Sequence, residues 1–387
     1  MRSYDVVIIG AGLAGLQCAK LLGQRGASVL LVDRKTDLTA GIHTTGIFVR
    51  KTFEDFAFPA NTLGPPIRDV TLYSPQLRPL ELKSEADEFR VGKMGALYSA
   101  LLDDCIGFGV EFSNATRFIS IHIGSDSSVI KLEKNGSSFE VKAKVVVGAD
   151  GANSKVAKEL RLDENKEWIV GYEEVFHTKQ SGREPRLHCF LDSKLAPGYL
   201  AWIADDGEEV HIGVGGYPAR FDPRQALKQL KEKIGSDFVD LDKAELSESR
   251  GGRIPVGGVL RKIANVHGVL IGDAAGAVSP LTAGGLDPCM RLSRYAAEII
   301  DERLVTNDPQ ILLKISGGLF RSRFISRLWM RRLIAAFTNQ TLLEAGCFFL
   351  RGRIGRKLAG HVFFGRGSFP DVEIAKAGRR NSGVLHI

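Results

Sequence analysis

Short runs of consecutive apolar residues closed by glycine or aspartate alternate along this chain with longer stretches whose apolar residues fall three and four apart. The first pattern predicts buried strands and the second predicts helices. Val6-Val7-Ile8-Ile9 before Gly10 makes a strand of Asp5 to Gly10. Leu13, Leu16, Ala19, Leu21 and Leu22 put an apolar stripe on a helix from Gly12 to Arg25, and Ala27 to Asp33 is a second strand. Strand, helix and strand in so short a span are a βαβ opening. Residues 34 to 66 are polar, carry Pro59, Pro65 and Pro66, and read as loop. Ile67 to Leu82 alternates like edge strands, and Lys93 to Gly107 has helical spacing. Val110 to Ile123 and Val129 to Val141 are expected as antiparallel strands, with a separate buried strand at Val145 to Gly148. Trp168 to Gly216 alternates repeatedly. A helix over Asp222 to Ile234, a buried strand over Val266 to Gly272 and a helix over Asp287 to Arg303 follow.

Antiparallel strands bracketed by βαβ pieces define the expected fold class. It is an α/β protein with a Rossmann-like dinucleotide-binding domain, an inserted, mostly antiparallel β-sheet domain and a C-terminal helical region. The boundaries are 1–165 and 250–310 for the first, 166–249 for the second with 67–88 contributing to it, and 311–387 for the third.

Charge sharpens the last boundary. The 387 residues carry a net charge of +7, but from residue 311 onward fourteen Lys and Arg stand against Glu344, Asp371 and Glu373. The tail is therefore strongly basic and the remainder mildly acidic. Its cations alternate with Phe320, Phe324, Leu328, Trp329, Leu333, Phe348, Phe349 and Leu350. That is the composition of amphipathic helices, which either lie on an anionic membrane surface or pack on their own protein. No nucleic-acid motif accompanies the charge. No apolar run reaches the roughly 18 residues of a membrane span. The apolar stretch near the start is too short for a signal peptide, so a cytoplasmic protein, peripheral on the inner face of the membrane, is expected. Cys18, Cys105, Cys189, Cys289 and Cys347 are scattered and odd in number. They fit free thiols better than disulfides or a metal site.

The chemistry sits at the strand ends. Gly10-Ala11-Gly12-Leu13-Ala14-Gly15 joins the first strand to its helix, and Asp33 ends the next strand. Gly10 permits the tight turn, Gly12 lets backbone N–H groups approach a pyrophosphate, and Gly15 lets helix and strand pack closely. Asp33 can accept from a ribose hydroxyl. Val145 to Gly148 leads into Asp150-Gly151, and Gly268 to Ile271 into Gly272-Asp273. Pro280-Leu281-Thr282-Ala283-Gly284-Gly285-Leu286 opens the following helix. There is no second GxGxxG, so a nicotinamide cofactor has no domain of its own.

With these motifs in this order, residues 1 to 310 resemble the FAD-dependent oxidoreductases of the p-hydroxybenzoate hydroxylase fold, and among them the geranylgeranyl reductase family. The resemblance implies that Gly10, Gly12, Ala14, Gly15, Asp33 and Arg34 hold the ADP half of FAD, and that Asp150-Gly151 supports the pyrophosphate region. It implies Gly272-Asp273 at the ribityl chain, and Pro280, Gly284, Gly285 and Leu286 at the pyrimidine edge of the flavin. A helix N-terminus there stabilises the charge of reduced flavin. Tyr199 and Trp202 resemble the family's pocket signature, with one extra residue between them and Ala204-Asp205 in place of Phe-Pro. Gly41 to Ile47 falls where prenyl reductases carry Cys-Gly-Glu-Gly. His43 stands for the Cys and Thr45 for the acid, with Thr44 and Thr45 beside the cofactor. His43 is the expected proton donor. Lys93 replaces a cofactor-contacting Arg, keeping the charge without the fork.

The expected activity is reduction of carbon–carbon double bonds in an isoprenoid or other lipid, with NAD(P)H or another carrier as electron donor. A monooxygenase acting on an apolar or aromatic substrate is the alternative. A non-catalytic lipid carrier is a third reading, disfavoured by a complete set of cofactor motifs. No metal and no nucleic acid are expected.

Overall fold

The computed structural model describes residues 1–178, 184–235, 238, 244–336 and 338–365. Two large sheets organise it. In the first, Arg2–Ile9 lies between Val29–Val32 and Ser137–Gly148, all parallel, with Glu111–Ser113 and Gly268–Leu270 on the two outer flanks. Strands buried on both faces need unbroken apolar runs. Val6 to Ile8 and Val145 to Val147 supply them, and all six are fully buried. Helices Leu13–Gly23, Met94–Gly107 and Leu286–Thr306 share one hydrophobic core with this sheet.

The strands expected between 110 and 148 are divided differently. Ala115 adopts a left-handed backbone (φ 48°) that breaks the first of them. Glu111–Ser113 therefore joins the parallel sheet, while Thr116–Ile123 forms a hairpin with Ser128–Lys134. Ser137–Gly148 is one continuous strand. Its first half alternates because it pairs with the hairpin, and its second half is wholly apolar because it enters the parallel core. Residues 34–66 are less irregular than expected. Ile47–Val49 and Leu63–Ile67 flank Phe89–Gly92 in a three-stranded sheet, and Arg50–Asp55 is a helix. Pro65 and Pro66 are tolerated because their strand is at the edge.

The second sheet has seven strands in the order Ala244–Pro255, Trp168–Thr178, Glu209–Gly216, Ala201–Asp205, Arg186–Phe190, Asp69–Tyr73 and Pro79–Leu82. Residues 67–88 do contribute to it. Ala244–Pro255 pairs along its whole length with Trp168–Thr178, so the inserted sheet reaches Pro255 rather than ending at 249. Helix Pro223–Ile234, capped by the Asp222 carboxylate, buries Ala226, Leu227, Leu230 and Ile234 against one face of this sheet. The other face is left for the site.

The basic C-terminal region forms helices Gly317–Arg321, Ile325–Ala336, Gln340–Leu350 and Arg353–Phe364. Their amphipathicity is the reverse of the expected one in part. Arg331 is buried and Arg321 and Arg327 turn inward, whereas Trp329, Leu333, Phe349 and Ile354 are exposed. Arg366, Asp371, Glu373, Lys376, Arg379 and Arg380 lie outside the described residues. Among the described residues no helix is long and apolar enough to cross a membrane. All five cysteines are buried free thiols, and burial pushes Cys18, Cys105 and Cys189 up to about 12.

Candidate functional site

The three glycines of the first turn have three different surroundings. A Cβ on Gly10, whose φ is 103°, would stand 2.3 Å from the Ala149 carbonyl oxygen, and one on Gly15 would stand 1.9 Å from the Gly10 carbonyl oxygen. Gly12 has nothing within 4 Å of that position. Its backbone is extended and it starts Leu13–Gly23 with no side-chain cap. The first N–H groups of that helix are thus open to an anion. Asp33 Oδ2 accepts from Ala11 N at 2.7 Å and Oδ1 accepts from Lys35 N at 2.8 Å. The carboxylate therefore shapes the glycine turn and keeps a lone pair on each oxygen for a ribose hydroxyl. Arg34 beside it is exposed. Tyr98, which the sequence did not single out, is buried close to Leu13, Asp33 and Asp273, and burial raises its phenol pKa.

Asp150 works on its own chain. Its carboxylate accepts from Ser154 Oγ at 2.6 Å and from the N–H groups of Lys155 and Val156, so it anchors the start of helix Lys155–Glu159. Gly151 completes the turn with φ 82°. Asp273 is the opposite case. A Cβ on its neighbour Gly272 would meet Ala14 Cβ at 2.8 Å, which places Asp273 next to the first helix. No described residue donates a hydrogen bond to its carboxylate, and burial pushes its pKa up to about 6. Asn165, also missed from sequence, donates through Nδ2 to the Asp273 and Ala152 carbonyl oxygens and so ties the two Asp turns together.

An ionised group whose folded pKa lies above its unfolded value of 3.8 favours folding most at low pH and loses that advantage as pH rises toward 6. Asp273→Asn should therefore stabilise the FAD-free protein at pH 7, by about 1–3 kcal/mol, and remove the pH dependence in that window. The same variant should bind FAD more weakly, because an amide accepts ribityl hydroxyls less well than a carboxylate. Thermal melts of the apoprotein at pH 4.5 and 7, with a flavin titration, check both halves.

The loop before Leu286–Thr306 is held from three sides. Ala283 takes φ 51°, Ser279 N donates to Gly284 O, and Gly285 caps the helix without a side chain. Tyr199 OH donates to Thr282 O at 2.6 Å, and Arg331 Nη1 donates to Pro280 O at 2.9 Å. Arg327 Nη1 donates to Ser279 Oγ at 2.8 Å. Gly284 is exposed, and a Cβ on Gly285 would stand 3.6 Å from Asp273 Oδ1. The loop, its uncapped helix and Asp273 thus adjoin.

Facing them, the second sheet has slots cut by glycine. A Cβ on Gly213 would stand 2.2 Å from the Trp202 ring, and one on Gly215 would stand 2.7 Å from the Tyr199 ring. The Tyr-x-x-Trp and Gly-x-Gly patterns are therefore two halves of one packing unit, and the rings meet edge to face at 6.4 Å. Trp202 Nε1 donates to Glu173 Oε2 at 3.1 Å.

Glu173 opens a buried polar network absent from the sequence reading. Arg250 Nε donates to its Oε1 at 2.6 Å and Thr45 Oγ1 to its Oε2 at 2.6 Å. Arg250 Nη2 stands 3.0 Å from His211 Nδ1, and His211 Nε2 stands 3.5 Å from Glu209 Oε2. Burial opposes ionisation of Glu173, but His211, Arg250 and Thr45 hold its carboxyl down at about 2. Arg250 is the hydrogen-bonded cation, since His211 Nδ1 is 3.9 Å from that carboxylate. Scattered over three strands and a loop, these residues have no local motif; each strand member reads as an ordinary polar position in an alternating strand.

Thr45 thus belongs to the sheet side, while Thr44 Oγ1 accepts from Gly46 N. His43 is exposed and lies against the strand Ala244–Pro255, its Cβ 3.5 Å from where a Gly252 Cβ would stand. Partial burial, Lys35 and Arg34 lower its pKa. Lys93 does not turn to the cradle: its ammonium pairs with Glu208 at 2.8 Å in the turn of the neighbouring sheet, which raises its pKa.

The open Gly12, the two uncapped helix starts and the partnerless Asp273 carboxylate fit FAD. The profile of the FAD binding domain family matches residues 95–314. The chain belongs to that family. The profile of the pyridine nucleotide-disulphide oxidoreductases matches residues 4–180 of this FAD-binding protein. A digeranylgeranylglycerophospholipid reductase of Methanocella arvoryzae is 26% identical over 77% of this chain and 77% of its own length. One of Methanosarcina acetivorans is 28% identical over 80% and 77%. A geranylgeranyl bacteriochlorophyll reductase-like structure from Thermoplasma acidophilum superposes with a TM-score of 0.79 at 19% identity, covering 95% of this chain and 98% of that one. The chain is accordingly an FAD-dependent oxidoreductase with a geranylgeranyl reductase-like fold.

Proposed function

We propose that this flavoprotein saturates carbon–carbon double bonds of an isoprenoid lipid. The observation that carries the reading is the wall opposite the cradle: Tyr199 and Trp202 seated in glycine slots and each fixed by a hydrogen bond, with Arg250 paired to the Glu173 carboxylate behind them. FAD, when bound, supplies the hydride, and NAD(P)H or another carrier docking transiently renews it. The protein's own residues do the rest. Tyr199 and Trp202 are each fixed by a hydrogen bond, so they offer a hydrocarbon rigid aromatic faces. Arg250 and Thr45 both donate to the Glu173 carboxylate, so it does not face an apolar chain unpaired. His43 provides the proton that completes saturation. The names of the two archaeal relatives support this substrate class.

Because the His43 pKa is lowered, the protonated form is populated only on the acid side of its usual 6.5. Turnover should therefore rise as pH falls from 8 to 6, and His43→Asn should flatten that profile while cutting the rate by about 10²-fold. A profile unchanged by the substitution would remove His43 from the reaction. The activity itself is tested by incubating the holoprotein with a prenyl lipid and a chemical reductant without oxygen. Mass spectrometry should find two added hydrogens per double bond. An oxygenated product formed only in air would instead support the monooxygenase reading.

A lipid substrate also accounts for the outer face of the C-terminal helices. Trp329, Leu333, Phe349 and Ile354 are 60–86% exposed, and Arg332, Arg353, Arg356 and Lys357 on the same run of helices are exposed as well, with Arg332 over the Trp329 ring. Aromatic and aliphatic side chains among cations suit an anionic lipid surface on the cytoplasmic side. Trp329→Glu with Phe349→Glu should lower co-sedimentation with vesicles containing phosphatidylglycerol at least fivefold. Equal binding of the folded double variant would contradict peripheral attachment.

A further inference from the structure

Helix Ile325–Ala336 carries two arginines one turn apart that point into the protein, and both end on the loop next to the cofactor. Arg331 is 2% exposed. Its Nη1 donates to Pro280 O at 2.9 Å, its Nε donates to Tyr217 OH at 3.1 Å, and its guanidinium lies 5.8 Å from the Tyr199 ring centre and 5.1 Å from that of Tyr217. Its Nη2 is buried with no hydrogen-bond partner. Arg327 reaches Ser279 Oγ, which also accepts from Thr282 Oγ1 at 2.9 Å. Among the described residues Arg331 forms no ion pair, and the carboxylate of Glu167 reaches it only through the Tyr217 hydroxyl, whereas Arg327 has Asp287 as an opposing charge. Burying an uncompensated guanidinium is costly, and a loop fixed only for stability would be served by a neutral donor.

We propose that Arg331, seconded by Arg327, is a positioning residue. It locks Pro280 and Tyr199 at the pyrimidine edge and supplies the buried positive charge that favours reduced flavin there. The C-terminal helix, which the resemblance over residues 1 to 310 leaves out, is on this view part of the active site. A fixed cation acts more strongly in a low local dielectric than in water, and the fork grips the loop while the charge acts through it. Its lipid-facing side and its flavin-facing side are opposite faces of one helix.

The proposal rests on FAD occupying the cradle, which the visible spectrum of the purified wild type establishes first, and it is independent of which alkene is reduced. Two measurements test it on Arg331→Met and Arg331→Lys. In the substrate-free holoprotein, Arg331→Met should lower the ratio of reduced to oxidised flavin at a fixed donor potential about tenfold, a shift of roughly 30 mV to more negative values for two electrons. Arg331→Lys, which keeps the charge, should recover most of it. In the apoprotein, hydrogen exchange of the 279–285 amides should speed up in both variants, while exchange of Arg2–Ile9 stays unchanged. Wild-type potential in folded Arg331→Met would overturn the charge role, and unchanged loop exchange would overturn the positioning role. Arg327→Met, at a less buried site, should shift both readouts in the same direction by a smaller amount; no shift in it would count against the paired arrangement.

Discussion

Gly12→Val should abolish FAD binding and leave the fold standing. Gly12 has φ −72° and ψ −177°, an extended backbone that valine adopts readily, and no atom lies within 4 Å of the position its Cβ would take. The added methyls cost the protein nothing internally. They occupy the space through which the pyrophosphate must approach the N–H groups of helix Leu13–Gly23. Losing those charge-assisted contacts should weaken FAD by at least about 100-fold, roughly 2.7 kcal/mol, with the apoprotein melting within about 2 °C of wild type. Gly15→Val is the control with the reverse signature. Its Cβ would fall 1.9 Å from a backbone carbonyl oxygen, an overlap that forces helix and strand apart and costs more than the usual 1–3 kcal/mol of an overpacked core. Flavin titration and a thermal melt on each variant separate the binding glycine from the packing glycine. Equal loss of stability in both would contradict the open cradle.

Glu173→Leu should cost about 3–5 kcal/mol, because it strands the Arg250 guanidinium in the sheet and removes the acceptor of Trp202 Nε1 and Thr45 Oγ1. Replacing Arg250 by Leu as well should return part of that loss, since an apolar pair leaves no buried charge. The pH dependence has a definite sign. Glu173 is held at about 2 in the fold against 4.5 ordinarily, so its contribution is complete above pH 4.5 and disappears as pH falls toward 2. Wild type should therefore lose stability across that interval more steeply than Glu173→Leu, as denaturant melts at pH 6, 4 and 2.5 will report.

The turns proposed to cradle FAD are legible in the sequence because their parts are local. A strand, a turn and a helix start lie within a few residues of one another at Gly10 to Gly15, at Asp150-Gly151 and at Gly272-Asp273, and backbone geometry dictates their residue types. Asp150 shows the limit of such reading: its position at the strand end was right, but its carboxylate caps the helix behind it. The Glu173 network could not be read, because Thr45, Glu173, His211 and Arg250 meet only after the sheet is assembled. The tail was read as amphipathic, yet Arg331 and Trp329 exchange the faces that hydropathy assigns them. A guanidinium finds carbonyl and phenol partners inside, and hydropathy counts no such partners. The Lys93 pairing with Glu208 could not be read either, since Glu208 is remote in sequence and adjacent in space.

In this mechanism a prenyl lipid, and not oxygen, accepts the electrons. Chemical reduction of the bound flavin under anaerobic conditions, followed by addition of a geranylgeranyl lipid, tests it by the return of oxidised-flavin absorbance. Reoxidation in the absence of oxygen, with appearance of the saturated lipid, is the expected result. Flavin that stays reduced until oxygen is admitted, and then yields an oxygenated lipid, would contradict it.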